Sequence, residues 1–249
     1  FTAAHFALIA QVYFKRFQPD RDRLSEIAAT IRNAGASNPD AVMYGCGPYK
    51  PSDITESPLI CEPFHLLDLC LATEGASAVI ITNIERARNC PNAPVRILSG
   101  SSEWHRQQYV DPPRYDEVGG IGKDAFSRTF GAAGLVPRDI DVYELYDINT
   151  WEIVRQFEVM GLCGEGEGVD FLYEEGIAWN QKLPTNTDGG LLSFSHTGWG
   201  GPTLKVVEAV KQLRVGARSG QVEEPETALV TGAGSGAQYF NAAILSVDR

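Results

Sequence analysis

Residues 185 to 202 of this 249-residue chain, Thr185-Asn-Thr-Asp-Gly-Gly-Leu-Leu-Ser-Phe-Ser-His-Thr-Gly-Trp-Gly-Gly-Pro202, place one histidine, His196, in a loop with little side-chain bulk. Glycines let the backbone approach a ligand closely and adopt positive φ, and the start of a helix offers unpaired N–H groups to negative charge. A helix is expected from near Pro202, so the loop runs into such a start. An imidazole there, with an ordinary pKa of about 6.5, suits a general base at neutral pH. The same setting also suits a histidine that only satisfies a turn.

A second reactive side chain stands in Ile140-Asp-Val-Tyr-Glu-Leu-Tyr-Asp-Ile-Asn-Thr150. Ile140, Val142 and Tyr143 favour a strand, while Asn149 followed by Glu152 forms a capping-box signature for a helix carrying Trp151, Val154, Phe157 and Met160. Tyr146 therefore sits where a strand ends and a helix begins, the edge at which open α/β sheets bind ligands. Its phenol, with an ordinary pKa of about 10, suits a proton donor or an oxyanion partner. Local environment can reverse the two roles, and a tyrosine that merely finds a partner at a strand end is the alternative.

Thr231-Gly-Ala-Gly-Ser-Gly236 resembles a nucleotide fingerprint only superficially. Its glycine spacing is not G-x-G-x-x-G, and the following Tyr239 to Val247 reads at least as easily as a strand. A strand, turn, strand unit is expected, with its glycines approaching the site. Asn186 and the backbone around Gly189 and Gly234 are the expected substrate-positioning groups.

The elements that must hold these residues follow from pattern. β-Branched and apolar runs at 76–82, 95–101, 141–145, 227–231 and 240–247 predict strands, and helical spacing predicts helices at 1–17, 23–34, 123–133, 149–160 and 202–214. Strands alternating with helices make a layered α/β sheet. In the last helix Leu204, Val207, Val210 and Leu213 are expected to face the core, with Lys205, Glu208 and Lys211 turned away. The connection 101–122, with Trp104, His105, Tyr109, Pro112 and Tyr115, is expected to line an apolar pocket or to pack on a partner.

A net charge of −11 disfavours nucleic acid, whose phosphates need clustered lysine and arginine. Five cysteines without C-x-x-C spacing suit reduced thiols in a cytoplasmic protein, and four histidines far apart in sequence predict no metal site. There is no apolar run of membrane-spanning length and no signal segment.

The elements above resemble, in their order, the thiolase superfamily, specifically its sterol carrier protein X and lipid-transfer branch. Leu67 to Val79 looks like the family's acidic-Gly-Ala-Ala segment, and Ala133 to Asp141 like its link from a helix to the next strand. The family's Asn-x-Asn-Gly-Gly and Gly-His-Pro motifs correspond to Asn186-Thr-Asp-Gly-Gly190 and Ser195-His-Thr197. Where relatives carry His-Asp-Cys-Phe, this chain has Tyr146-Asp-Ile-Asn149. No cysteine occurs after Cys163, so the family's C-terminal catalytic thiol has no counterpart in Thr231 to Gly236.

The resemblance implies a thiolase-like layered α/β/α sandwich. Residues 1–60 would form a helical loop segment covering the substrate, or a helical subdomain with no ligand role. Residues 61–122 would close the first half of the fold, and 123–249 would form its C-terminal half. Because an apolar helical run opens at Phe1, the chain is expected to begin in mid-fold, with the family's N-terminal half and nucleophilic cysteine outside it. The implied activity is retro-aldol cleavage of a β-hydroxyacyl-CoA, as in steroid side-chain degradation, with Tyr146 and His196 catalytic. The alternatives are a thiolase or acyltransferase borrowing the missing cysteine, and a noncatalytic acyl-CoA-binding subunit. CoA would enter as part of the substrate, with no other cofactor. A homodimer and a small OB-fold zinc-ribbon partner are further implications.

Overall fold

The computed structural model describes residues 2–105, 113–234 and 237–248. Two long helices come first, α1 (Thr2–Phe17) and α2 (Arg21–Ser37). In α1 the buried residues Phe6, Ile9, Ala10 and Tyr13 recur at helical spacing, and Phe14 and Phe17 pack at their margin. Phe1, which opens the apolar run, lies outside the described residues. α2 starts earlier than the pattern suggests because Asp20 caps it, its carboxylate accepting the Asp22 and Arg23 backbone N–H groups.

The remainder alternates strand and helix: β1 (Val95–Trp104), α3 (Lys123–Ala133), β2 (Val142–Glu144), α4 (Thr150–Met160), α5 (Gly168–Glu175), α6 (Gly201–Leu213), β3 (Thr227–Gly234) and β4 (Tyr239–Val247). One sheet has the order β1-β4-β3-β2, with β4 antiparallel to both neighbours and β2 parallel to β3. Alternation along the strands separates two cores. Val142, Ala228, Val230 and Leu245 meet Ala209 and Leu213 of α6. Tyr143, Leu229, Phe240 and Ile244 face the other way, toward Phe126 of α3 and Trp151 and Phe157 of α4. Helices on both faces make the layered α/β sandwich, and α1 and α2 join its larger core through Phe6, Tyr13 and Ile27.

Two expected features are absent. Residues 76–82 form no strand: the segment has no ladder partner among the described residues, and Ile80 is 93% exposed. A β-branched run favours extended backbone, but a strand exists only when another strand completes its hydrogen bonds. The second departure is the orientation of α6. Lys205, Glu208, Ala209, Gln212 and Leu213 are its buried side chains, whereas Leu204 and Val207 are half-buried. The helix turns a polar stripe inward because carboxylates gathered at the end of β2 and in the loop before α6 receive it.

Candidate active site

Tyr146 leaves β2 through a backbone held on both sides. Its N–H donates to Thr231 Oγ1 at 2.8 Å, and its carbonyl accepts from Gln156 Nε2 at 2.8 Å. Thr231 and Gln156 are themselves joined at 2.6 Å. Three residues further on, Asn149 caps α4 by accepting the Glu152 N–H. The Glu152 side chain does not complete the capping box and pairs with Arg155 instead, both groups being buried.

The histidine loop is fixed from two directions. Asp147 accepts the backbone N–H of Leu191 at 2.9 Å and of Leu192 at 3.3 Å. The irregular segment 70–73 supplies the rest: Leu71 N–H donates to Leu191 O, Thr73 N–H to His196 O, and His196 N–H to Thr73 Oγ1. Glycines are required where these pieces converge. Gly190 has φ +59°, and a Cβ there would collide with the Asp147 carboxylate; a Cβ on Gly201, the first residue of α6, would lie 2.8 Å from His196 Cδ2.

This framework brings the two rings together, with centroids 6.4 Å apart and planes 70° from parallel. Tyr146 is 6% exposed and His196 is half-buried. Burial drives the Tyr146 hydroxyl well above the ordinary phenol range, and the neighbouring Cys70, Tyr239, Glu152 and Asp147 add to it. Burial also drives the His196 imidazole below its ordinary value; Asp147 and a backbone hydrogen bond with Leu71 oppose that effect, and Lys205 adds to it. At neutral pH the pair is thus a protonated phenol beside a neutral imidazole, a donor next to a base.

The other expected positioning residues are built into the scaffold. Asn186 is buried with φ +49°, and its side-chain oxygen accepts the Leu145 N–H at 2.8 Å. Gly189 donates its N–H to Asn186 O and packs on the backbone of Gly35 in α2. Gly234 pairs with Tyr239 across the hairpin, and a Cβ on it would strike the Tyr239 hydroxyl. Ser235 and Gly236 lie outside the described residues. In the connection 101–122, Tyr115 is buried in the core against Tyr13 and Trp151, and Tyr109 and Pro112 lie outside the described residues.

Three groups near the site are not legible in the motifs. Tyr239 stacks on Trp104, with centroids 5.0 Å apart and planes 24° from parallel, and its phenol acts electrostatically on that of Tyr146. Its position directly after a glycine-rich turn is the one signal in the sequence. Cys70 places Sγ 3.6 Å from His196 Nδ1, and its thiol is pushed up to about 12, chiefly by burial and then by Asp147. Lys205 lies 1% exposed, with Nζ 3.1 Å from Asp147 Oδ1 and 3.6 Å from Glu144 Oε2. Among the described residues no group of three or more His, Cys, Asp or Glu is arranged to hold a metal ion, and no helix is long and apolar enough to cross a membrane.

Residues 116–247 match the family described as "Thiolase C-terminal domain-like". The chain is 34% identical over 94% of its length to the 17-hydroxy-3-oxo-4-pregnene-20-carboxyl-CoA lyase of Mycobacterium tuberculosis, and 31% identical over 98% to the steroid side-chain-cleaving aldolase of Thermomonospora curvata. It spans 60% and 61% of the length of those two relatives. The solved structure of an Ltp2-ChsH2(DUF35) aldolase superposes with a TM-score of 0.82 at 26% identity, covering 99% of this chain and 64% of that one. A monomeric SCP2-thiolase like protein type 1 from Mycobacterium smegmatis superposes with a TM-score of 0.70 at 17% identity, covering 100% of this chain and 52% of that one. That last structure corrects the homodimer implied by the resemblance: the fold exists there as a monomer, so a second copy does not come with it.

Proposed function

Since this chain belongs to the thiolase superfamily, we propose that it cleaves the carbon–carbon bond of a β-hydroxyacyl-CoA by retro-aldol chemistry. The observation that carries this reading is the edge-to-face approach of the Tyr146 phenol and the His196 imidazole. Neutral His196 takes the proton of the β-hydroxyl group. The C–O bond becomes a carbonyl, the Cα–Cβ bond breaks, and its electron pair moves into the thioester as an enolate. The Tyr146 hydroxyl donates a hydrogen bond to the enolate oxygen, a contact stronger in the transition state than in the bound substrate. A proton then returns to Cα, leaving a ketone or aldehyde and a shortened acyl-CoA. No covalent nucleophile is needed.

The names of the two curated relatives make a steroid side-chain acyl-CoA the first substrate to test. Thiolysis is the second reading, favoured by the short distance from Cys70 to His196. Against it, burial keeps the Cys70 thiol protonated, and the nucleophile in thiol chemistry is the thiolate. Parallel incubations with a β-hydroxyacyl-CoA and with the matching β-ketoacyl-CoA, each in the presence of free CoA, separate these readings. Equal amounts of carbonyl product and shortened acyl-CoA, with free CoA unchanged, are expected. Cleavage of the β-ketoacyl-CoA with consumption of one free CoA, and none of the β-hydroxyacyl-CoA, would replace the proposal with thiolysis, and binding of both without any product would replace it with an acyl-CoA-binding role.

A further inference from the structure

Lys205 is a buried cation among buried carboxylates. Asp147 and Glu144 lie within 4 Å of its Nζ. Asp188 sits in the same field and caps the loop by accepting the Gly190 N–H at 2.7 Å, and Glu208 lies one turn further along α6. Burial lowers Lys205, but Asp147, Glu144 and Asp188 together outweigh it and hold the ammonium above its ordinary value. Glu144 is raised as well, by burial and against the pull of the lysine. Of the two carboxylates, Asp147 is the nearer to the ammonium.

The pair connects the three elements that carry the proposed chemistry. Asp147 directly follows Tyr146 in the chain. Its carboxylate also ties down Leu191 and Leu192, which lead into the histidine loop. Lys205 stands one turn beyond Gly201, where an added Cβ would meet the His196 ring. The geometry points to Asp147 and Lys205 as paired positioning residues for His196: the carboxylate ties the strand end that carries Tyr146 to the loop that carries the imidazole, and the ammonium from α6 holds that carboxylate. Neither touches the reacting atoms in the proposed cleavage. The inference deepens that proposal and rests on it for the role of His196 as base.

The charged and titratable groups facing this arrangement are limited. Cys70 and Tyr146 face the imidazole directly. Glu144, Asp188 and Glu208 face the ammonium. From α2 the Arg32 guanidinium feels the charge of Asp147. The negative charge of Asp147 favours imidazolium, and the positive charge of Lys205 disfavours it.

The test is an NMR titration of the histidine rings in the full chain, with the His196 signal assigned by its loss in His196→Gln. The midpoint of His196 is expected to rise in Lys205→Met, where the aliphatic stem is kept and the charge removed. It is expected to fall in Asp147→Asn. In the double variant Asp147→Asn/Lys205→Met, which leaves neither member of the pair unpaired, it is expected below wild type but above Asp147→Asn. The double variant also serves where a single one fails to fold, since an unpaired buried charge is strongly destabilising. Unchanged midpoints in the folded variants, shifts of one sign in both single variants, or a double variant at or above wild type would overturn the assignment. Because ring titration needs no turnover, its failure is distinguishable from failure of the retro-aldol reading, which would show as missing carbonyl product with the opposed shifts intact.

Discussion

Replacing Tyr146 with phenylalanine removes one oxygen and leaves everything else that the structure uses at this position. The ring is 6% exposed and packed beside His196, and the backbone stays bonded to Thr231 and Gln156. Stability should therefore change by no more than about 1 kcal/mol, the usual net worth of one hydrogen bond. Loss of one oxyanion donor costs roughly 2.7–4 kcal/mol of barrier, so kcat should fall about a hundred- to a thousandfold. KM should stay within about threefold of wild type, because an interaction made only in the transition state does not contribute to ground-state binding. The assay is steady-state release of the carbonyl product from a β-hydroxyacyl-CoA, with thermal unfolding as the control for integrity. A folded Tyr146→Phe protein with kcat within about threefold of wild type would remove the phenol from the mechanism.

Further expectations test the scaffold and its electrostatics. Gly190→Ala should lose both stability and turnover, by on the order of 1–3 kcal/mol in unfolding free energy, because its Cβ meets the Asp147 carboxylate at positive φ; an unchanged melting temperature would contradict the packing described. Glu208 holds its proton in the folded state up to about pH 8, mainly through burial, whereas an unfolded glutamate loses it near about 4.3. Between those values the folded protein binds more protons, so this residue makes stability fall as pH rises through that window. Glu208→Gln should flatten the decline and melt higher than wild type at pH 9. Cys70→Ser should keep carbonyl release within about threefold of wild type, while a loss of about a hundredfold or more would make the thiol a participant. Finally, because burial depresses the His196 imidazole, the acidic limb of kcat/KM should fall below the ordinary histidine value of about 6.5. A limb at or above that value would assign the base to another group.

Local rules carried the regular elements well. The span Lys123–Ala133 coincides with its apolar period, and Asn149 starts the next helix because its side chain caps it. The sandwich follows from strands alternating with helices, and membership of the thiolase superfamily was legible in the order of short motifs that are individually weak. Two errors share one physical cause. Residues 76–82 have the composition of a strand, yet pairing is nonlocal, and no strand lies beside them among the described residues. The buried face of α6 was misread because amphipathic analysis assumes that charge faces water, and here Lys205 and Glu208 turn inward to meet a polar interior. Tyr239 and Cys70 come close to the site only through tertiary contacts, from the far strand of a hairpin and from an irregular segment more than a hundred residues upstream of His196. No periodicity marks such residues. Asn186 and Gly189 stand out by their positive φ in the segment before the histidine loop, and Gly234 by the close approach of Tyr239 across the hairpin.

The most direct measurement of the proposed cleavage is mass spectrometry of the shortened acyl-CoA formed in deuterium oxide. Retro-aldol cleavage leaves a carbanion equivalent at Cα that must take a proton from a group in exchange with solvent, so one deuterium per molecule is expected in that product, with the carbonyl fragment equimolar and free CoA unchanged. A shortened acyl-CoA without deuterium at Cα, or one formed without an equimolar carbonyl fragment, would contradict retro-aldol cleavage.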